Sequence, residues 1–339
     1  MGAVRYWSGS YGWGLVTVVG QMPGGALVDS VRSARLLAGL AVSAICLSAL
    51  ALALWPVFLV VMGSRVIQAA ASCLLGPVIA AISLGLVGHA ALGARLGRNA
   101  RFSSVGNGVA AAAMGLCGYL VSNQAIFFLT ALLIAPATLA LARIRINGAI
   151  PPTAGGVAPP VSRMRTVLGN RRLLVFAGCI LLFQLANAAM LPLMGSIWAI
   201  HSREWASTLI GACIVAPQLI VAGFAPAIGR IADSLGRRPL LCLCFTALAV
   251  RGVLFALITS PCLVVAIQVL DGISAAILGV TLPLIVADIT RGTGRFNLGL
   301  GIVGSAVGVG AALSTTLAGY TEVDPVLWTP EHLCSRSPR

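Results

Sequence analysis

The strongest constraint on this fold is a series of ten long apolar runs, separated by short polar segments that are rich in arginine. A helix needs about 20 residues to cross the hydrocarbon core of a bilayer. Because backbone groups cannot stay unpaired in lipid, such runs predict transmembrane helices. The predicted spans are Tyr11–Val28, Leu36–Leu54, Val57–Val87, Ser103–Ser122, Ala125–Ala142, Leu173–Ala199, Ser207–Ile228, Leu240–Ile258, Cys262–Ala287 and Leu298–Gly319.

Composition excludes an ordinary soluble domain, because 59% of the 339 residues are hydrophobic and 9% are charged. The net charge of +14 is spread over the short loops and does not form one patch, so membrane topology explains it better than nucleic-acid binding. The histidines lie in loops or the tail, and no metal-ligand spacing is present. We therefore expect no cofactor, no metal site and no enzymatic activity. The three histidines are His89, His201 and His332.

The arginines also predict the orientation of the chain. The run Val57–Val87 is too long for one upright helix and too short for two. If it is one tilted span, most of the arginines fall on the same side, which the positive-inside rule makes cytoplasmic. Both chain ends are then outside.

Two charged turns indicate an internal duplication. The first turn and its copy match at five positions with an offset of 204 residues, and a second pair of segments, Arg65–Gly76 and Gln268–Gly279, matches at nearly the same offset. Duplicated helix bundles are typical of secondary transporters. The five positions are Gly25, Asp29, Ser30, Leu36 and Leu37, repeated as Gly229, Asp233, Ser234, Leu240 and Leu241.

The turn from Gly229 to Arg238 resembles the G-x-x-x-D-x-x-G-R-R signature loop of the major facilitator superfamily. Arg65-Val-Ile-Gln68 resembles the family's fourth-helix pattern R-x-x-Q-G, with Ala69 in place of glycine. The resemblance implies an all-α, polytopic membrane protein with two bundles, whose ten spans correspond to family helices two to eleven. The expected units are an N-terminal bundle over residues 1–142, a cytoplasmic linker over 143–172, a C-terminal bundle over 173–320 and a polar tail over 321–339.

The function that the resemblance implies is secondary active transport of a small solute, as proton-coupled efflux by alternating access. The partners would be the solute, protons and the lipid bilayer, and the protein would be a monomer in a bacterial-type inner membrane. The span that matches the family's fifth helix has glycines but no glycine-proline, which departs from the antiporter pattern. Two alternatives remain: a non-functional membrane fragment of such a transporter, and an intramembrane enzyme.

The resemblance also implies a cytoplasmic gate between the two halves. Asp29 should approach the start of the tenth span near Arg295, and Asp233 should approach the start of the fourth span near Arg101. The alternative is that these charges only anchor the topology. The predicted gate residues are Asp29, Arg32, Arg35, Arg101, Gly229, Asp233, Gly236, Arg237, Arg238 and Arg295.

Polar residues inside the spans are the candidates for a transport cavity, because charges there are costly and usually face a cavity or a partner. Arg251 and Asp271 lie on consecutive antiparallel spans and could form a structural pair, or Asp271 could sense protons opposite Arg65. The mid-span amides could be substrate contacts or interhelical hydrogen bonds. The predicted cavity residues are Arg65, Gln68, Asp271, Gln184, Asn187, Gln218 and Gln21.

The orientation predicts which side can label two introduced cysteines. A cysteine at Ala154, in the predicted linker, should react only with a membrane-impermeant thiol reagent on the inside. A cysteine at Ser202 should react only from the outside. If the linker cysteine is labelled only from outside, the orientation is wrong.

Overall fold

The computed structural model describes residues 19–31, 33–55, 57–143, 169–194, 203–258 and 260–322. In these residues the chain forms ten α-helices and no β-strand, which confirms the predicted all-α class. A short helical stretch at 190–194 follows the sixth helix. The helices are α1 (residues 19–30), α2 (Ala34–Leu54), α3 (Phe58–Val87), α4 (Leu92–Leu120), α5 (Asn123–Arg143), α6 (Arg171–Asn187), α7 (Arg203–Ser234), α8 (Arg237–Leu257), α9 (Pro261–Ile289) and α10 (Phe296–Glu322).

Eight of these helices are long and apolar enough to cross a membrane. The third run is one helix of 30 residues, as the arginine distribution predicts. The helix that contains the predicted fourth span, Ser103–Ser122, begins earlier than that span, at Leu92, and carries its arginines on its first turns. These charges make α4 less apolar than its neighbours, and α1 is described only from residue 19.

We call the side on which α1, α3, α5, α7 and α9 end the arginine-rich side. Short polar side chains there cap the starts of two of the helices that follow. The Ser33 hydroxyl accepts a hydrogen bond from the amide of Leu36 at 3.3 Å and caps α2. Asn170 caps α6 in the same way. Gly236 precedes α8 with φ of +87°, a conformation that favours glycine.

The helices form two halves that meet along their arginine-rich ends. In the N-terminal half, α2 packs against α3 and α5; in the C-terminal half, α9 packs against α7 and α8, and α6 packs against α10. The halves are joined by α4 packed on α7 and by α1 crossing α10. Most of the predicted linker 143–172 and nearly all of the tail 321–339 lie outside the described residues.

One hydrophobic cluster extends across the junction between the halves. Leu92 and Leu96 of α4 are buried in the same cluster as Ile228 and Ala232 of α7 and Leu298 of α10. Both contacts between the halves therefore lie near the arginine-rich side.

Candidate functional site

The backbones of α4 and α7 cross so closely that no side chain fits between them at the glycines of the crossing. A Cβ atom at Gly97 would lie 2.5 Å from the carbonyl oxygen of Ala225, and one at Gly93 would lie 2.7 Å from that of Gly229. Real Cβ atoms do not approach backbone so closely, so these positions require glycine. We call this contact the α4–α7 crossing.

The crossing of α1 and α10 repeats the same geometry. A Cβ atom at Gly25 would collide with the carbonyl oxygen of Asn297, and one at Gly301 would collide with that of Gln21. The offset of 204 residues relates Gly301 to Gly97 and Gln21 to Ala225. We call this contact the α1–α10 crossing, and the two crossings are related by the internal duplication.

Asp29 caps the first turn of α10 from the other half of the protein. Its carboxylate accepts hydrogen bonds from the Leu298 amide at 2.8 Å, the Asn297 amide at 3.2 Å and the Asn297 side chain at 2.8 Å. The two backbone amides are donors that a helix start leaves without a partner, and a negative charge there is favourable. Asp29 lies just beyond its predicted span; burial raises the pKa of its carboxyl, and the hydrogen bonds and Arg295 partly offset that rise.

Asp233, which the duplication relates to Asp29, lies at the start of α4. Its carboxylate oxygens are 2.8 and 3.0 Å from the site of a Cβ atom at Gly93. The predicted approach to Arg101 is wrong, because α4 begins nearer to Asp233 than the hydropathy suggests and Arg101 is exposed further along the helix. The carboxylate therefore faces a helix N-terminus, where a negative charge is stabilised.

Arg237 connects this crossing to α9. It lies 3.6 Å from Asp233 and 3.0 Å from Asp288, and it donates to the carbonyl oxygen of Ala232 at 2.8 Å. Asp288 also pairs with Arg291 at 3.5 Å. Asp288 is absent from the predicted gate, although its position one residue beyond the ninth predicted span is a usable signal.

Three further predicted gate residues, Arg35, Arg238 and Arg32, have no described contact at the two crossings. Arg35 is not at the junction of the halves: it donates to the carbonyl oxygen of Ala142 at 3.0 Å and links α2 to α5. Arg238 is exposed. Arg32 lies outside the described residues.

The buried polar cluster of the C-terminal half joins three helices. Arg251 of α8 is 2% exposed and pairs with Asp271 of α9. It also donates to Asn187 of α6 at 2.7 Å and lies 5.3 Å from the ring centre of Phe255. Of the alternatives left open by the sequence, the structure pairs Asp271 with Arg251 and not with Arg65.

Two of the predicted cavity amides pack against small residues of α10. The Gln21 side-chain oxygen lies 2.8 Å from a Cβ position at Gly304, and Gln184 packs against Gly310. Both amides therefore lie against a neighbouring helix.

The remaining cavity candidates do not converge with Asp271. Arg65 is exposed on α3, and Gln68 and Gln218 are half-buried on different helices. The duplication relates Arg65 to Gln268, which is fully buried and donates to the carbonyl oxygen of Cys213 at 3.4 Å. The described residues contain no cluster of metal-ligating side chains.

Comparison with known proteins agrees with this architecture. A family model described as Major Facilitator Superfamily matches residues 4–197 and 176–322. Two proteins named uncharacterized MFS-type transporters, from the CDC 1551 / Oshkosh and H37Rv strains of Mycobacterium tuberculosis, are each 38% identical to this chain over 320 residues. Each match covers 91% of this chain and 76% of the relative.

We predict that Asp29→Asn loosens the α1–α10 crossing, because the amide group cannot supply a second oxygen to the Leu298 amide. The loss of such a cap costs about 0.5–2 kcal/mol, and one or two kcal/mol corresponds to roughly 5–30-fold in an equilibrium. Hydrogen exchange of a peptide covering the start of α10 should accelerate by that factor.

The matched control is Ser30→Ala, whose hydroxyl bonds only within α1, to Leu27. Its exchange at α10 should equal that of the unchanged protein. Equal exchange in Asp29→Asn and the control would show that Asp29 does not hold α10.

Proposed function

Because this chain belongs to the major facilitator superfamily, we propose that it exports a small solute across a bacterial-type inner membrane in exchange for protons, as a monomer, by alternating access. Membership of this family makes it a membrane transporter. The exchange with protons, the direction, the class of solute and the oligomeric state are the proposal. In such a mechanism the two halves rock around a site between them.

The observation that carries the proposal is the concentration of contacts between the halves on one side. The glycines that touch the opposite half lie near the arginine-rich ends of α4, α7, α1 and α10. Beyond Ser104, no described side chain of α4 is buried. One side of the junction is therefore packed while α4 is uncovered toward the other side, which fits a state that is closed only on the cytoplasmic side.

The gate in this proposal consists of the two crossings with their carboxylates, Asp29 and Asp233. Each carboxylate faces the first turn of a helix from the opposite half. Rocking must separate each carboxylate from its helix start, so both would be released when the cytoplasmic side opens. The gate thus stabilises the closed state without a covalent connection.

The coupling proton in this proposal binds Asp271. The Asp271 side chain is 26% exposed, whereas that of Arg251 is 3% exposed, so the carboxylate is the more open member of the pair. If Asp271 takes up a proton, Arg251 keeps its contacts with Asn187 and Phe255. Its charge is then still partly compensated, which lowers the cost of breaking the pair.

Transport in proteoliposomes tests this function with a mixture of solutes, so that the transported compound is found by the experiment itself. Inside-out vesicles with an imposed pH gradient are incubated with a mixture of small metabolites, and their contents are read by mass spectrometry. We expect Asp271→Asn to reduce gradient-driven accumulation to the level of empty vesicles while solute exchange continues. Asp271→Glu, which keeps the carboxylate, should retain accumulation.

A double variant separates proton coupling from a purely structural pair. Removing one member of a buried pair leaves the other uncompensated, so a structural pair predicts that Asp271→Asn lowers the folded yield. Replacement of both residues, Arg251→Gln with Asp271→Asn, would then restore yield and accumulation together. Recovery of gradient-driven accumulation in the double variant contradicts the proton site.

A further inference from the structure

The formal charges of the residues inside the predicted spans do not sum to zero. The ten predicted spans contain two arginines and one aspartate, a formal charge of 2 − 1 = +1. Arg251 and Asp271 compensate each other, and the ion pairs of the described residues all involve arginines other than Arg65. Among the residues that the structure describes, Arg65 is therefore the in-span charge without an ion-pair partner, and it lies about 10 Å from the outer start of α3 at about 1.5 Å per residue.

The helix face that carries Arg65 continues to the junction with α4. Ser72 and Ser83 lie seven and 18 positions after Arg65, which places all three on one face at 3.6 residues per turn. Near the arginine-rich side, Ser83 is buried and accepts a hydrogen bond from Asn99 of α4 at 2.7 Å. Toward the other side, Arg65 and Ser72 are exposed. This face of α3 is thus covered by α4 at one end and uncovered at the other.

The position that the duplication relates to Arg65 in the C-terminal half is uncharged and buried. Gln268 corresponds to Arg65 in the duplication, yet it is neutral and fully buried. A neutral residue therefore satisfies the packing of the repeated fold at this position. The positive charge of Arg65 is a feature of the N-terminal half alone, and an intramembrane charge is costly unless it meets a cavity or a counter-charge.

On the premise of the proposed function, we infer that the transported solute is an anion and that its carboxylate, phosphate or sulfonate group binds the guanidinium of Arg65. A guanidinium group offers paired donors that match such oxyanions. The bound anion supplies the missing counter-charge at the uncovered end of this face of α3. Export of an anion in exchange for protons also moves both charges in the direction favoured by an inside-negative membrane potential.

The local charge around Arg65 is tested with thiol reagents of opposite sign, which need no transport. Ser72→Cys is made in a background whose nine native cysteines are replaced by serine. Its reaction rates with a sulfonate methanethiosulfonate and with the trimethylammonium analogue are divided by the rates for a free thiol. We expect the normalised rate of the sulfonate reagent to be about 10-fold higher than that of the trimethylammonium reagent. The reason is that Arg65, seven positions before Ser72 on the same helix face, attracts anions.

Two variants assign this preference to Arg65. Arg65→Lys keeps the positive charge and should retain the preference, whereas Arg65→Gln should lose it with the same elution profile in size-exclusion chromatography. The inference is overturned if the trimethylammonium reagent reacts as fast as the sulfonate, if Arg65→Gln keeps the preference, or if neither reagent reaches Ser72→Cys.

The class of solute is tested in proteoliposomes with matched probes, namely benzoate, benzamide and benzylamine, added to the metabolite mixture. Accumulation restricted to anionic compounds supports the inference, and accumulation of neutral or cationic compounds overturns it. If nothing accumulates, the proposed transport function fails, and the labelling rates still decide whether the exposed face around Arg65 attracts anions.

Discussion

The architecture depends on the close approach of backbone to backbone at the α4–α7 and α1–α10 crossings. In lipid there is no hydrophobic driving force between helices, so association relies on close packing and polar contacts. Gly97 and Gly301 let the chains touch without side chains between them. The carboxylates of Asp233 and Asp29 then reach the helix starts that the crossings bring within range. A larger residue at either glycine would separate the helices and remove the carboxylate contact with them.

The two crossings share their geometry but differ in their charges. On the α7 side, Asp233 has Arg237 beside it, and Arg237 continues to Asp288. The positions related to Arg237 and Asp288 by the offset are Ser33 and Leu84, so the N-terminal half lacks both charges. Asp29 instead depends on the amide donors of Asn297 and Leu298. Exposed ion pairs contribute little, so the common element of both contacts is a carboxylate that faces a helix start of the opposite half.

The sequence predicts the helices well, because hydropathy depends only on local composition. It predicts the duplicated turns well, because a comparison at a fixed offset needs only residue identities. It predicts that Asp29 meets the tenth helix, and the structure shows that contact at Leu298. It misplaces the partner of Asp233, because arginines hide the first turns of α4 from a hydropathy criterion. The contact of Arg35 is set by tertiary packing, which no local pattern encodes, whereas Asp288 has a sequence signal in its place one residue beyond the ninth predicted span. The exposure of Arg65 likewise depends on which neighbouring helices cover α3, so it could not be read from the spacing of polar residues.

The most direct test of the account is whether the two ends of the junction open reciprocally. Spin labels at Ala90 and Leu235 span the halves on the arginine-rich side, and labels at Val121 and Leu257 span them on the opposite side; all four positions are exposed. Double electron–electron resonance then reports the Ala90–Leu235 and Val121–Leu257 label distances, in the unchanged protein and in the double variant Asp29→Asn, Asp233→Asn. The account predicts that the double variant lengthens the first distance and shortens the second. Lengthening of the first distance with no change in the second would contradict it, because the crossings would then be local contacts and not the gate of an alternating-access protein.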